Sequence, residues 1–350
     1  MHRLFLLSVF SLFSFYCSAQ IETNFDNAKL VGIGFYNLEN LFDTLNSEGV
    51  KDEEFTPNGK KQWGSARYSI KLKHLAKVIS DIGIDDNPNG LSVIGLCEVE
   101  NKSVLQDLVN MPAIKNRNYQ IVHYDSPDKR GIDVAFLYQP QLFELESSKS
   151  IELTLPEDTG FYSRDQLLVS GKLMDESFSF IVGHWPSRRG GELESQHKRV
   201  AAGKLARSLV DSLKSTNNKT KIICMGDFND DPSNTSLTDY LIANGDLNKL
   251  KDTELYNPMA SIYQEGLGTL SWRGKWNLFD QFILSKNLLK VNKETSQLKY
   301  YKAAIFSPAY LKQGPGDYEG TPFRNFAGSK WLNGYSDHFP VYLLLSKIIN

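Results

Sequence analysis

Five short segments hold the residues with chemical reach: Phe35-Tyr36-Asn37-Leu38-Glu39-Asn40, Ile94-Gly95-Leu96-Cys97-Glu98-Val99-Glu100-Asn101, Gly183-His184-Trp185-Pro186-Ser187-Arg188-Arg189, Met225-Gly226-Asp227-Phe228-Asn229-Asp230 and Ser336-Asp337-His338-Phe339-Pro340. They supply carboxylates, carboxamides and two histidines, without a cysteine cluster or a His-x-x-x-His spacing. Hard oxygen donors in that number favour Mg2+, Mn2+ or Ca2+ over Zn2+. A divalent ion together with a histidine is what phosphoester hydrolysis requires. The ion neutralises phosphoryl oxygens, a base orients water in line, and positive donors hold the transition state.

Each piece has a plainer reading when taken alone. Asp227-Phe228-Asn229 reads as a turn whose side chains bond the backbone. Glu98 reads as a surface carboxylate, Asn37 as a turn cap, Asp337-His338 as a local pair, and Arg188 and Arg189 as solvated loop cations. His184 alone reads as a satisfied histidine. What argues for chemistry is recurrence, because polar residues follow the ends of apolar runs again and again, where α/β frameworks place their working groups.

Those runs are Leu30 to Tyr36, Leu91 to Cys97, Ile132 to Tyr138, Phe178 to Gly183, Lys221 to Met225, Phe279 to Leu284 and Val341 to Leu345. Their density of Ile, Val and Phe predicts strands buried on both faces. Ser65 to Ile82 and Gln196 to Leu213 read as helices, the second with Val200, Leu205, Leu209 and Leu213 on its apolar face. Alternating strands and helices predict a mixed sheet system covered by helices. No repeat or linker divides the chain, so one domain over residues 28–350 is expected. The Gly-rich stretch from Lys312 to Trp331 reads as a long loop, a feature that compact domains keep for function or mobility.

The chain of 350 residues begins with Met1-His2-Arg3, an apolar run from Leu4 to Tyr16 and Cys17-Ser18-Ala19. That order predicts a secretory signal over residues 1–19 cleaved after Ala19, and hence a secreted or periplasmic protein. The run is too short to span a bilayer, which needs about 20 residues. A lipoprotein anchored through Cys17 is the lesser alternative, since Phe15 and Tyr16 are bulky. Cleavage removes only Arg3 among charged groups, taking the formal net charge from −2 to −3 (38 − 41). Polyanion binders are usually basic, so phosphate recognition must come from a local patch. Cys97 and Cys224, left after cleavage, read as buried thiols in neighbouring core strands rather than a disulfide framework.

Taken in order, these segments resemble the endonuclease/exonuclease/phosphatase superfamily from about Leu30 to Leu345, with Phe35 to Asp43, Ile94 to Asn101, Ser126 to Tyr138, His184 to Gly191 and Gly226 to Asn229 similar to its secreted bacterial branch. The resemblance implies a DNase I-like, four-layer α/β/β/α sandwich with a cleft at one edge of its sheets. It further implies that Asn37 and Glu98 hold the metal with Asp337 near it, and that Mg2+ is the ion, with Mn2+ or Ca2+ as alternatives. Asp227 would orient or deprotonate water, and Asn229 would hold a phosphate oxygen. His338 would act as base or transition-state donor, oriented by Asp280, and His184 as a phosphate ligand and proton donor. Arg130 falls near a phosphate-contacting Tyr or Arg. Apart from the resemblance, Arg188 and Arg189 lie in a loop with two glycines and Trp185 beside His184, and if the substrate is a nucleic acid they are expected to touch phosphates beside the scissile one, since a net-negative chain needs a local cationic patch. The chain departs from relatives at Gln281, which follows Asp280 where Tyr or His is frequent, and it lacks apurinic-site repair signatures. The leading expectation is a nuclease acting on a nucleic-acid substrate. A phosphodiesterase or phosphatase for a small or lipid-derived phosphoester is the alternative, and a non-catalytic binding module the third class.

Overall fold

The computed structural model describes residues 28–289 and 296–348. The expected leader, residues 1–19, lies outside them. Among the described residues seventeen strands are formed: β1 Ala28–Leu41, β2 Leu91–Val99, β3 Gln120–His123, β4 Asp133–Tyr138, β5 Phe143–Ile151, β6 Gln166–Leu173, β7 Glu176–His184, β8 Lys221–Asp227, β9 Ala243–Asn244, β10 Leu255–Tyr256, β11 Leu270–Trp272, β12 Lys275–Asn277, β13 Asp280–Leu284, β14 Lys299–Ile305, β15 Phe326–Ala327, β16 Lys330–Trp331 and β17 Val341–Ile348. Four α-helices join them: α1 Ser65–Asp81, α2 Lys102–Val109, α3 Gln196–Thr216 and α4 Met259–Gln264.

Two sheets carry the architecture, one of six strands in the order β14-β17-β1-β2-β4-β3 and one of seven in the order β5-β6-β7-β8-β13-β10-β9. Side-chain alternation sorts each central strand between two cores. Val31, Ile33 and Phe35 of β1 point between the sheets, with Val93 and Cys97 of β2 and Val182 and Met225 opposite. Tyr36 and Leu38 point the other way, onto Leu72, Leu75, Ala76, Val78 and Ile79 of α1 and onto α2. The outer face of the second sheet packs Ile181, Ile222, Cys224 and Ile283 against α3. Helix, sheet, sheet and helix are the four layers that the resemblance implied. Gly95 lets the sheets approach, since a Cβ there would stand 3.0–3.1 Å from Phe35, Met225 and Val182.

All seven apolar runs are strands and both expected helices form. Two details differ. The innermost face of α3 is Arg199, Ala202, Gly203, Ala206 and Val210, while Leu205, Leu209 and Leu213 are only half-buried beside it. Small residues win that position because the helix lies close on its neighbours: a Cβ on Gly203 would collide with the Ser236 carbonyl. Cys97 and Cys224 are both buried and free. They belong to different sheets and different cores, Cys97 between the sheets and Cys224 beneath α3, so they are not neighbours.

The stretch from Lys312 to Trp331 is a long excursion that ends in the short β15–β16 hairpin. Phe326 anchors it in an apolar cluster with Phe42, Phe55, Trp63 and Ile132. The backbone N–H groups of Asn325 and Phe326 donate to the buried Glu39 carboxylate. No helix among the described residues is long and apolar enough to cross a membrane.

Candidate active site

Three adjacent strands set the floor of the site. His184 ends β7, Asp227 ends β8 and Asp280 begins β13, and Asp227 is the register partner of both others. The sheet ladder therefore lays the three side chains in one row. Gly183 and Gly226 precede two of them at a close crossing, where a Cβ on Gly226 would strike the Gly183 carbonyl. Beyond the strand end, Trp185 N–H donates to the Asp227 carbonyl, and Phe228 N–H to that of Phe279.

The first sheet contributes from across the gap. Glu98 sits where the pairing of β2 with β4 slips between Cys97 and Val99, and its φ of 60° is in the left-handed region. A bulge of this kind re-aims a side chain, and its backbone cost is typical of working residues. Glu98 Oε2 accepts the Asn40 N–H at 2.9 Å, while Oε1 stands 3.7 Å from Arg130 and 4.0 Å from His184 Nε2. Asn229, φ 51°, is the second non-glycine residue of the site held in that region.

Asp227 is the centre of the arrangement. Its Oδ2 accepts the Asn37 amide at 3.1 Å and faces His184 Nε2 at 3.6 Å and His338 Nε2 at 3.9 Å. Its Oδ1 accepts the Asn229 N–H at 3.0 Å. Burial is the main force on this carboxyl and raises its pKa to about 7, helped by the nearby Asp280 charge. His338 Nδ1 lies 2.7 Å from Asp280 Oδ2, so the carboxylate accepts the Nδ1 proton and leaves Nε2 toward Asp227. Burial acts to lower the His338 pKa, but the Asp280 and Asp227 charges outweigh it and hold the imidazolium well above its ordinary range. His184 is the opposite case: burial, then Arg164 and Arg130, push its pKa well below normal and keep the ring neutral.

A cavity of about 430 Å3 opens over this floor, lined by Glu98, His184, Asp227, Asn229 and His338 below and by Lys129, Arg130, Tyr162, Arg189 and Lys198 around the mouth. Of the eleven residues singled out in the sequence, Asn37, Glu98, Arg130, His184, Arg189, Asp227, Asn229, Asp280 and His338 are brought together here. Two are not. Arg188 turns away from the cavity, donates from Nε to the Asn229 carbonyl at 2.9 Å, pairs with Asp230 and Asp231 at 3.2 Å, and lies 4.6 Å over the Phe279 ring. In this arrangement it is a clamp beneath the loop that carries Asn229, because the buried acids that follow Asn229 claim its guanidinium. Asp337 is off the cavity wall, 3.7 Å from Arg324; it adds negative charge beside His338 and Glu39.

Sequence reasoning missed Arg164, Asp128 and Lys71. Arg164 is buried against the cavity, donating to Asp128 at 3.2 Å and to the Trp185 carbonyl at 2.7 Å. It stands just ahead of β6, a strand the sequence reading passed over, so no run end pointed to it. Lys71 is a fully buried lysine on α1 that donates to the Tyr335 carbonyl and faces Glu39 and Asp337; a charge at an apolar helical position was its signal. Glu39 was inside a quoted segment without a role. Burial, then Asp337, raises its pKa to about 7.

Residues 32–347 match the model of the endonuclease/exonuclease/phosphatase family, and the chain belongs to that family. Among solved structures it is similar to a family member from Bacteroides thetaiotaomicron, with 18% identity, TM-score 0.55, and 92% of this chain and 100% of the other covered. A mannosyl-6-phosphatase of the same organism gives 18% identity and TM-score 0.54, covering 90% and 99%. A D. rerio TDP2 complexed with single-strand DNA product gives 13% identity and TM-score 0.53, covering 90% and 98%. At these identities the likeness is one of fold. No curated protein sequence matches the chain.

Proposed function

We propose that the protein is an exported, divalent-metal-dependent phosphoesterase whose preferred substrate is a nucleic-acid phosphodiester. The observation that carries the chemistry is the convergence of Glu98, Asp227 and the Asp280–His338 pair on one cavity floor. The donor set fits a hard cation: among the described residues Glu98 Oε1 has no hydrogen-bond partner closer than the Arg130 and His184 approaches, and the Asn37 side chain, held to Asp227 through its amide, keeps on Oδ1 a lone pair beyond the one that accepts the Glu39 N–H. Glu98 and Asn37 would hold Mg2+, or Mn2+ or Ca2+ in its place, and the ion would draw charge from the phosphoryl oxygens.

The residues of the chain do the rest. Asp227, ringed by Asn37, His184 and His338, orients a water for in-line attack. His338, kept cationic by Asp280, binds a phosphoryl oxygen and stabilises its charge as the bond order shifts. Neutral His184 donates its ring N–H to the leaving oxygen. Asn229 spends one amide proton on the Trp185 carbonyl at 2.9 Å and has the other for phosphate.

The cationic mouth favours a polyanion. Among the described residues, Arg189 has no ion-pair partner, Lys198 has only the Phe161 ring at 5.4 Å, and Lys129 has the Gly160 carbonyl and the Tyr162 ring. A chain with net charge −2 that leaves these cations unpaired beside its site offers the local patch that nucleic-acid binding needs. The cavity volume, about 430 Å3, favours the second reading, a small phosphoester. A panel of plasmid DNA, RNA, bis-(p-nitrophenyl) phosphate and sugar phosphates, with Mg2+, Mn2+, Ca2+ or chelator, separates the two. Nucleic-acid cleavage lost on chelation is the expected result. Turnover of sugar phosphates with intact nucleic acid would overturn the substrate. Export belongs to the same proposal, and a mature N-terminus at Gln20 checks it.

A further inference from the structure

Outside the catalytic cavity, the loop after β1 folds back over the end of β2 and brings three carboxylates together, those of Asp43, Asp52 and Glu100. Asp52 is fully buried and Glu100 is 7% exposed. Neither they nor Asp43 pairs with a lysine or arginine among the described residues, and the charges felt by Glu100 are those of Asp43 and Asp52. Ser47 ties two of them, its N–H donating to Asp52 Oδ2 at 2.8 Å and its hydroxyl to Glu100 Oε1 at 3.1 Å. Asp43 N–H donates to Glu100 Oε2 at 2.6 Å, and Asn101 donates to Asp43 Oδ2 at 3.2 Å. One atom of the group remains unexplained: Asp52 Oδ1 is buried with no hydrogen-bond partner among the described residues.

A buried carboxylate oxygen without a donor is costly, and buried charges are otherwise paired or bound to metal. We propose that this loop is a second divalent-cation site, suited to Ca2+, with Asp52 Oδ1, Glu100 Oε1 and the Ser47 hydroxyl as its inner ligands and Asp43 at its margin. All are hard oxygens. Asp43, Asp52 and Glu100 do not all bring ligand atoms within 4.8 Å of one another, as Asp227, Asp280 and His338 do, which is why Asp43 is placed at the margin and not in the inner shell. Ca2+ tolerates irregular shells of about 6–8 oxygens, whereas Mg2+ demands a near-ideal octahedron. The group His123, Asp125 and Asp133 has no such orphan: His123 and the Ser126 N–H satisfy both Asp133 oxygens.

The site would brace the mouth of the cavity. Lys51 N–H donates to the Lys129 carbonyl at 2.9 Å, and Val50 packs under Gly131, so the loop carries the segment that presents Arg130. A cation here would fix that segment without touching the scissile group.

The test uses the full mature chain bearing Glu98→Gln, which removes the main ligand of the catalytic ion, and reads binding and stability instead of turnover. Tb3+ serves as the probe, sensitised by Trp63, whose indole N–H donates to the carbonyl of Phe42, the residue before Asp43. Expected are saturable Tb3+ luminescence displaced by Ca2+ at lower concentration than by Mg2+, and a Tm raised by about 4 °C at a hundredfold excess of Ca2+ over Kd. Adding Asp52→Asn should remove both responses while leaving the metal-free Tm no lower, since an amide relieves the buried charge. A Glu98→Gln protein with no Ca2+-dependent Tm shift, or a shift that survives Asp52→Asn, overturns the site. Should Asp52→Asn not fold, calorimetry on the wild type decides: two Ca2+ per chain support it, and one Ca2+ that vanishes with Glu98→Gln overturns it.

Discussion

The floor and the mouth of the cavity are built by different means. His184, Asp227 and Asp280 are fixed by strand register, Asp227 being paired with His184 on one side and with Asp280 on the other. Lys129, Arg130 and Arg189 stand on loops and are exposed, and Lys198 is half-exposed near the start of α3. A ladder places a side chain to within a fraction of an ångström, which phosphoryl chemistry needs. A loop places charge broadly, which is enough to gather a polyanion. Arg188 and Arg189 mark the boundary, because consecutive residues of one type fall on opposite sides of it.

If the floor does the chemistry, the largest losses lie there. Glu98→Gln should abolish turnover and leave the fold intact, because a neutral amide binds a hard cation far less well. Chelation of the wild type should have the same effect. Circular dichroism and a turnover assay on the same samples check this, and activity that survives exhaustive chelation would break the metal assignment.

His338→Ala should cost about 10^2–10^4-fold in kcat, the range for one acid–base group. The 2.7 Å contact with Asp280 makes the two a unit. Asp280→Asn should reproduce much of that loss, and the double variant should be little worse than His338→Ala. Fully additive losses would show that Asp280 does not act through the ring.

At the boundary, Arg188→Ala should be a stability variant first. It strips Asp230 and Asp231 of a buried partner, and breaking such a pair costs about 3–5 kcal/mol. Urea denaturation should show this, with Arg188→Lys a poor rescue, since an ammonium cannot match the planar fork that serves Asn229, Asp230, Asp231 and Asn234. A stable Arg188→Ala that fails only on long substrates would restore the phosphate contact the sequence suggested.

The same contrast explains what was legible in the sequence. Strands buried on both faces advertise themselves as apolar runs, and their polar terminal residues form the floor, so nearly all of the floor was readable. β5 escaped because FELESSKSI lies on the sheet edge with most side chains in solvent, and β14 because KYYKAAI is half-exposed throughout. Arg164 escaped with β6. The direction of Arg188 was not legible because loop sequence does not say which way a guanidinium turns; that was decided by Asp230 and Asp231, over forty positions downstream. Nor does the primary pattern show that Ser47 would tie Asp52 to Glu100 across the loop after β1.

The smallest effects are expected at the mouth, and they discriminate best between substrates. Arg189→Ala and Lys198→Ala should change stability by less than about 0.5 kcal/mol, because neither side chain has an ion-pair partner to lose. If the substrate is a nucleic acid, each should flatten the dependence of log Kd on log salt by about one unit, equally for all sequences, since each removes one phosphate contact. Turnover of bis-(p-nitrophenyl) phosphate, which has no flanking phosphates, should then be unchanged. Equal and severe losses on both substrates would mean that these cations reach the scissile phosphate itself. The mouth would in that case belong to the chemistry, the division between ladder-built floor and loop-built rim would fail, and the small-phosphoester reading would become the better one.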